Sequence, residues 1–210
     1  MAPMKHEGAS DRKFRNAVRL AHRHVSNGLP PGLFVTDPSR TNDILETVHA
    51  LPDGIGVLFR HFGNPDQLTL APDLGLLCRR QGRPLLVSAD PQLCAQIRAS
   101  GVHWPARMTE SKPVNLRTDQ LNTMSVHAIR DVRRAQTLHM DAVLISPVFA
   151  SDSPSAGAPL GLPRLTSYAR RAGMNVYALG GVTANNAERV ARIAGFASVS
   201  GLEKVYGPRT

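Results

Sequence analysis

Eight short apolar runs constrain this chain more than any other feature of its sequence. Each ends in small or polar residues, and a stretch of helical pattern follows most of them. They begin at Gly32 (GLFVTD), Gly54 (GIGVLFR), Pro84 (PLLVSAD), Gly101 (GVHW), Met124 (MSVH), Asp141 (DAVLISPVF), Asn175 (NVYALGG) and Phe196 (FASVSG). Most lack the polar alternation of a strand with one wet face, and continuous runs of this kind belong to parallel strands covered on both sides. Successive starts lie 17 residues apart (Pro84 to Gly101) to 34 apart (Asp141 to Asn175), which leaves room for right-handed crossovers. Helical pattern appears at 41–51, 72–80, 91–99, 128–138, 162–172 and 184–194, whereas 105–123 is polar, contains prolines and reads as mostly loop. Eight such units predict an α/β fold, a (β/α)8 TIM barrel. The alternative is an open doubly wound sheet, but no Gly-x-Gly-x-x-Gly follows the first run.

Ahead of the first run, Phe14, Val18, Ala21 and Val25 recur at spacings of three or four and predict a helix over 11–27. Asp11 is placed to cap it, Gly28 to stop it, and LPPG at 29–32 breaks the chain. Residues 1–10 read as a flexible tail and 11–210 as a single barrel domain. The extra N-terminal helix is expected over the barrel bottom or edge. The chain ends at Thr210, shortly after the eighth run, so a truncated eighth helix is expected. Apolar surface left bare by that truncation would favour a homodimer.

Composition narrows the function. With 42% hydrophobic and 20% charged residues the chain can bury a real core, which rules out wholesale disorder. No apolar run approaches the ~18–20 residues of a membrane span, and MAPMKHEGASDRKF lacks the apolar segment of a secretory signal. The expected setting is the cytoplasm, with no membrane partner. Cys78 and Cys94 are too few for a disulfide scaffold or a cysteine zinc site and are expected to fill helix–barrel packing. Lys and Arg total 25 against 16 Asp and Glu, a net charge of +9, so either the partner is anionic or the surface is simply basic. Only 5% of residues are aromatic, too few for a base-stacking platform; a phosphorylated small molecule is the favoured partner and nucleic acid is not.

In a barrel of this kind reactive groups sit at the C-terminal ends of the strands. That rule selects Thr36 and Asp37, Arg60 and His61, Ser88 and Asp90, His103 and Trp104, Ser125 and His127, Ser146, the Gly180-Gly181 pair, and Gly201 with Glu203. Gly180-Gly181 after the seventh run would let a phosphate approach backbone amides closely, with Thr183 capping the following helix; a tight turn with no ligand is the alternative. His127 suits acid/base work on a heterocycle, because imidazole takes and gives a proton near neutral pH; a purely structural histidine would look the same. His103 reads as structural. Arg60 suits a phosphate or carboxylate unless it pairs with Asp37 or Asp90. His6, His22, His24 and His49 lack metal-ligand grouping and read as surface.

GLFVTD, VLFR, SGVHW, SVHAIRDVRRAQTLHMDAVLISPVF and YALGGVTANN, in this order and spacing, resemble the thiamine phosphate synthase family and its thiazole tautomerase relatives. The resemblance runs from about Gly32 to Val205 and implies a (β/α)8 barrel. It implies one of two activities: joining thiazole phosphate to a pyrimidine diphosphate with magnesium, or metal-free aromatisation of a thiazole carboxylate phosphate. By the same resemblance, Gly180 and Gly181 match the thiazole-phosphate loop. Ser125 and His127 match a Ser-x-His whose histidine is the tautomerase acid/base. Arg60 matches the arginine of a Gln-x-Arg-x-Lys motif, and Ser151 and Ser153 match two substrate-touching threonines.

The departures are as informative. Leu58 and Phe62 stand in place of the motif's glutamine and lysine, Ser88-Ala89 in place of an Asn-Asp pair, Met108 in place of an aspartate, and Pro154 in place of a loop lysine. The resemblance therefore implies a divergent member that lacks the magnesium carboxylates and diphosphate lysines. A diphosphate leaving group carries about three negative charges and needs cations placed beforehand. Three functions are weighed: a metal-independent enzyme of thiamine biosynthesis that binds thiazole phosphate and uses His127, a divergent magnesium-dependent synthase, and a non-catalytic barrel for a phosphorylated ligand. By the resemblance, Glu203 stands where the family usually has a small residue beside the phosphate; its charge would repel the ligand unless it points away or pairs with Arg189 or Lys204. The loop 150–161, rich in Ser, Pro, Gly and Ala, reads as a lid or an ordered turn.

Overall fold

The computed structural model describes residues 8–111, 116–151 and 157–208. Eight parallel strands close into a barrel in chain order, and the eighth pairs back onto the first. They are β1 (Gly32–Val35), β2 (Ile55–Phe59), β3 (Leu85–Ser88), β4 (Gly101–Trp104), β5 (Leu121–Val126), β6 (Ala142–Ile145), β7 (Asn175–Ala178) and β8 (Gly195–Ser198). Nine described helices accompany them: α1 (Ala9–Ala21), α2 (Ile44–Ala50), α3 (Pro65–Arg80), α4 (Pro91–Gln96), α5 (Ala106–Ser111), α6 (Ile129–Thr137), α7 (Gly161–Ala172), α8 (Ala187–Ala191) and α9 (Ser200–Tyr206).

Side chains alternate across each strand, so a closed ring sorts them into two cores. Leu33, Val35, Leu58, Leu86, Leu144, Tyr177 and Ala197 form one core; Phe34, Val57, Phe59, Val87, Trp104, Met124 and Ile145 belong to the other, with the helices. Both sets are almost fully buried, which is why the runs read as continuously apolar. At the N-terminal end of the strands Val25 and Leu29 join the first core. There the Tyr177 hydroxyl donates to the Pro30 carbonyl at 2.6 Å. Buried Arg83 braces the same end, donating to the carbonyls of Leu51 (2.9 Å), Pro52 (3.1 Å) and Ile55. Cys78 and Cys94 are free and buried, and burial pushes the Cys78 thiol up to about 11. Among the described residues no helix is long and apolar enough to cross a membrane.

α1 lies along the outer wall against α8, β8 and β1 rather than over the barrel bottom. It buries Phe14, Ala17, Val18 and Ala21 on one face. The Phe14 ring stacks on Phe196 at 5.9 Å between centroids and tilts against Tyr206 at 6.3 Å, and the Tyr206 hydroxyl donates to Asp11 at 2.6 Å. α9 is short, as expected, with seven residues. The apolar surface beside it is covered by α1, so the ground on which a homodimer was expected falls away.

Four local expectations are corrected. α1 starts at Ala9 after Gly8, and Asp11 sits inside its first turn instead of capping it; it ends at Ala21 because the chain must turn to bring Val25 under the barrel. Residues 8–10 are thus not tail, while 1–7 lie outside the described residues. α3 starts at Pro65, not residue 72: Asn64 accepts from the amides of Asp66 (2.9 Å) and Gln67 (3.2 Å), and Pro72 is carried inside the helix. The stretch 105–123 holds α5 and the start of β5, whose Leu121 amide reaches the Ser100 carbonyl at 3.0 Å. α8 is limited to five residues.

Because α1 substitutes for a longer closing helix, Phe14→Ala should destabilise the whole barrel by about 3–5 kcal/mol. Urea unfolding followed by circular dichroism measures this; a change below about 1 kcal/mol would mean that α1 is an appendage.

Candidate active site

The alternation that builds the inner core also builds the mouth. Two residues beyond inward Val35 and Leu58 come Asp37 and Arg60, and two beyond Leu144 comes Ser146. Arg60 is held from three sides: its amide donates to Thr36 Oγ1 (2.9 Å), its Nε to the Thr36 carbonyl (2.8 Å) and its guanidinium to Asp37 (3.1 Å). Asp37 also takes Arg40 (2.8 Å) and the Ser39 hydroxyl (2.6 Å). Burial alone would raise Asp37; the bonds from Ser39 and Arg40 and the charge of Arg60 outweigh it and hold the carboxyl at about 2. The ion pair foreseen as the alternative for Arg60 is therefore present. Its guanidinium also lies 5.3 Å over the ring of Phe62, an exposed residue with φ of 49°. His61 faces Asp90 at 3.6 Å, and Asp90 caps α4 through the Leu93 amide at 2.8 Å.

His127 lies exposed beyond the end of β5. Its backbone amide and that of Ala128 both donate to the Asp131 carboxylate at 2.9 Å, which fixes the strand-to-helix turn. Its Nδ1 stands 2.9 Å from the Ser146 carbonyl. A carbonyl only accepts, so Nδ1 carries the proton and the neutral ring presents Nε2 as a bare lone pair. Among the described residues nothing engages Nε2. His103, by contrast, is buried inside the barrel with Nδ1 2.9 Å from Thr123 Oγ1 and Nε2 2.8 Å from Ser125 Oγ. Burial, reinforced by the Arg60 charge, pushes it down to about 3, so the ring is neutral at physiological pH.

Gly180 and Gly181 have φ of 92° and 65°. A Cβ at Gly180 would stand 2.7 Å from Pro147 Cα, and one at Gly181 would stand 2.2 Å from the Ala150 carbonyl. The connection after β6 lies directly on this turn, through Val148 N to Leu179 O (2.9 Å) and Phe149 N to Gly180 O (3.0 Å). The pair thus has a packing reason of its own. The amides of Gly180, Gly181 and Val182 donate to no acceptor among the described residues. Gly201, at the start of α9, approaches the same turn: a Cβ there would meet the Val182 carbonyl at 2.4 Å. Thr183 does not cap a helix; its hydroxyl accepts from Asn185 in the turn before α8.

Glu203 is not at this cradle. Its carboxylate turns toward α2 and accepts from the Asn42 amide (3.2 Å) and the Thr47 hydroxyl (3.1 Å). Burial raises its pKa, and those two bonds only partly oppose the shift. Ser125 is partly buried beneath the mouth and Ser151 partly buried in the β6–α7 connection, whereas Ser153 and Pro154 lie outside the described residues, as does 152–156 of the proposed lid. The residues at the positions that resemble magnesium ligands do not fit that ion. Ser88 offers one hydroxyl, Ala89 nothing and Met108 a thioether, while Asp37 and Asp90 are already engaged. Among the described residues no three His, Cys, Asp or Glu side chains converge as a metal site. An open concavity of about 510 Å³ at the opposite end, lined in part by Ser26, Asp141, Arg170 and Asn175, is remote from these groups. Sequence reasoning missed the contacts of Thr36 with Arg60 and of Thr123 with His103; counting inward positions by twos would have put Thr123 beside His103.

Comparison with known proteins bears on this geometry. The family profile described as thiamine monophosphate synthase matches residues 33–202. A thiamine-phosphate synthase of Marinobacter nauticus is 27% identical over 183 residues, covering 80% of each chain. One of Bacillus velezensis is 25% identical over 149 residues, covering 69% of this chain and 66% of its own. Among solved structures, a thiamine phosphate pyrophosphorylase of Pyrococcus furiosus superposes with a TM-score of 0.65 at 20% identity, covering 86% of this chain and 93% of its own.

The Asp37 network should be visible in the acid limb of stability. Its folded-state pKa is depressed, so its contribution is complete above the ordinary carboxylate value and is lost as pH falls toward about 2. Asp37→Asn should lower unfolding free energy by about 1–3 kcal/mol near neutral pH, with the gap to wild type closing as pH falls from about 4. Parallel curves over that window would refute the assignment.

Proposed function

The chain belongs to the thiamine monophosphate synthase family, and from that premise we propose that its mouth binds a thiazole monophosphate on which His127 moves a proton without a metal ion. The observation that carries this reading is the contact from His127 Nδ1 to the Ser146 carbonyl, which leaves Nε2 as a base at the mouth. Nε2 takes a proton from the ligand ring. The imidazolium so formed is stabilised by the Ser146 carbonyl and returns the proton to a second position of the same ligand. Atoms balance, and the ligand leaves as its aromatic tautomer. Histidine acid/base catalysis of this kind contributes ~10²- to 10⁴-fold.

The phosphate of this reading sits at the Gly180-Gly181 turn, whose amides meet no acceptor among the described residues, and the turning of Glu203 toward α2 supports it by removing a source of repulsion. A magnesium-dependent synthase is the second reading, favoured by the names of the relatives. The donor set at Ser88, Ala89 and Met108 weighs against it.

With thiazole phosphate, the pyrimidine diphosphate and magnesium, wild-type protein should form no more thiamine phosphate than His127→Ala or buffer. Robust magnesium-dependent turnover would overturn the metal-free reading. Thiazole phosphate should also raise the melting temperature, whereas the unphosphorylated thiazole alcohol at equal concentration should not. Equal shifts from both would remove the phosphate cradle.

A further inference from the structure

The interior of the barrel holds one chain of polar side chains, from Thr123 through His103 to Ser125. Thr123 is completely buried and His103 nearly so. A neutral imidazole donates from one nitrogen and accepts at the other, so the chain has a direction. Two directions are conceivable, and the burial of Thr123 chooses between them. If Nδ1 donated to Thr123, the hydroxyl proton of Thr123 would need another acceptor; among the described residues it has none. A buried unsatisfied donor is strongly disfavoured, whereas a hydroxyl oxygen with a spare lone pair is tolerated. Thr123 therefore donates to Nδ1, Nε2 carries the hydrogen, and Nε2–H donates to Ser125 Oγ. That leaves the Ser125 proton uncommitted.

Ser125 is partly exposed on β5, two residues before His127 beyond the strand's end, so its uncommitted proton is available to the mouth. The geometry points to His103 as a positioning residue, which with Thr123 holds Ser125 as a hydrogen-bond donor to an anionic oxygen of the ligand. Each bond in such a chain polarises the next. The nearby Arg60 guanidinium disfavours a second proton on the ring and so protects the direction. The identity of the anion rests on the thiazole phosphate reading above; the direction of the chain does not.

Two measurements separate these claims. Nuclear magnetic resonance of ring-¹⁵N-histidine wild-type protein, with no ligand, should show His103 as a neutral ring protonated on Nε2, unchanged as pH falls through the ordinary histidine range. Protonation on Nδ1 would overturn the inference. Calorimetric titration with thiazole phosphate should then find binding weakened about tenfold in Ser125→Ala, the scale of a hydrogen bond to a charged group. Thr123→Val should weaken it by a smaller factor, about threefold, Thr123→Ser should restore it, and adding Thr123→Val to Ser125→Ala should cost nothing further. Wild-type affinity in Thr123→Val, or additive losses in the double variant, would reduce His103 to packing. No binding by wild type would overturn the ligand assignment, with the direction of the chain still decided by the resonance experiment.

Discussion

Closure of the parallel ring governs every other feature of this molecule. Once β8 pairs with β1, no strand has a free edge, and every second residue is committed to a narrow shared interior. Leucine, valine and tyrosine fill it without difficulty. A histidine there must find partners among its neighbours or carry a heavy desolvation penalty. His103 finds Thr123 and Ser125, both from the adjacent strand. Arg60, at the inward position just beyond β2, finds Thr36 and Asp37 just beyond β1. The same register that makes the core makes the polar floor and the rim.

The two ends of the barrel divide the work. At the strand N-termini, Val25 and Leu29 plug the ring, Tyr177 ties to Pro30, and Arg83 gathers three carbonyls. Along the wall, α1 covers the surface that the seven-residue α9 leaves. These contacts stabilise the fold without touching the mouth. The mouth is thereby free to hold exposed His127, the strained Phe62 and glycine amides that meet no acceptor among the described residues, groups that add little stability.

How far the sequence was legible follows from which forces acted. Continuous apolar runs announced most of the strands, because burial on two faces favours that pattern, whereas the start of β5 was hidden by inward Thr123 and Ser125. Helix starts were harder. Pro72 looked like a beginning, yet the real signal was Asn64-Pro65, a cap followed by a first-turn proline. Strand ends picked out Arg60, Ser125, His127 and the glycine pair, but, apart from the Arg60–Asp37 pair, not what each touches. That Glu203 points away is not legible in the sequence, because its partners, Asn42 just before α2 and Thr47 within it, lie 161 and 156 residues away. The role of the glycines was only half visible, since the requirement imposed by the Ala150 carbonyl comes from a separate connection.

Charge at the rim bears on the proposed choice of a monophosphate over a diphosphate ligand more directly than the overall charge of +9 does. Arg60 and Arg40 share Asp37, so these three groups together leave a surplus of about one positive charge. Phe62 stands where the resembled motif has lysine, and its ring covers one face of the Arg60 guanidinium instead of adding a cation. Other positive charges, such as Arg130 and Arg133 of α6, sit on exposed helix faces where solvent screens them. One surplus cation with neutral amide donors suits a monoester of about two negative charges. A leaving diphosphate, more highly charged and needing its cations in place before bond cleavage, would find no such set among the described residues of this rim, which supports the metal-free reading proposed above.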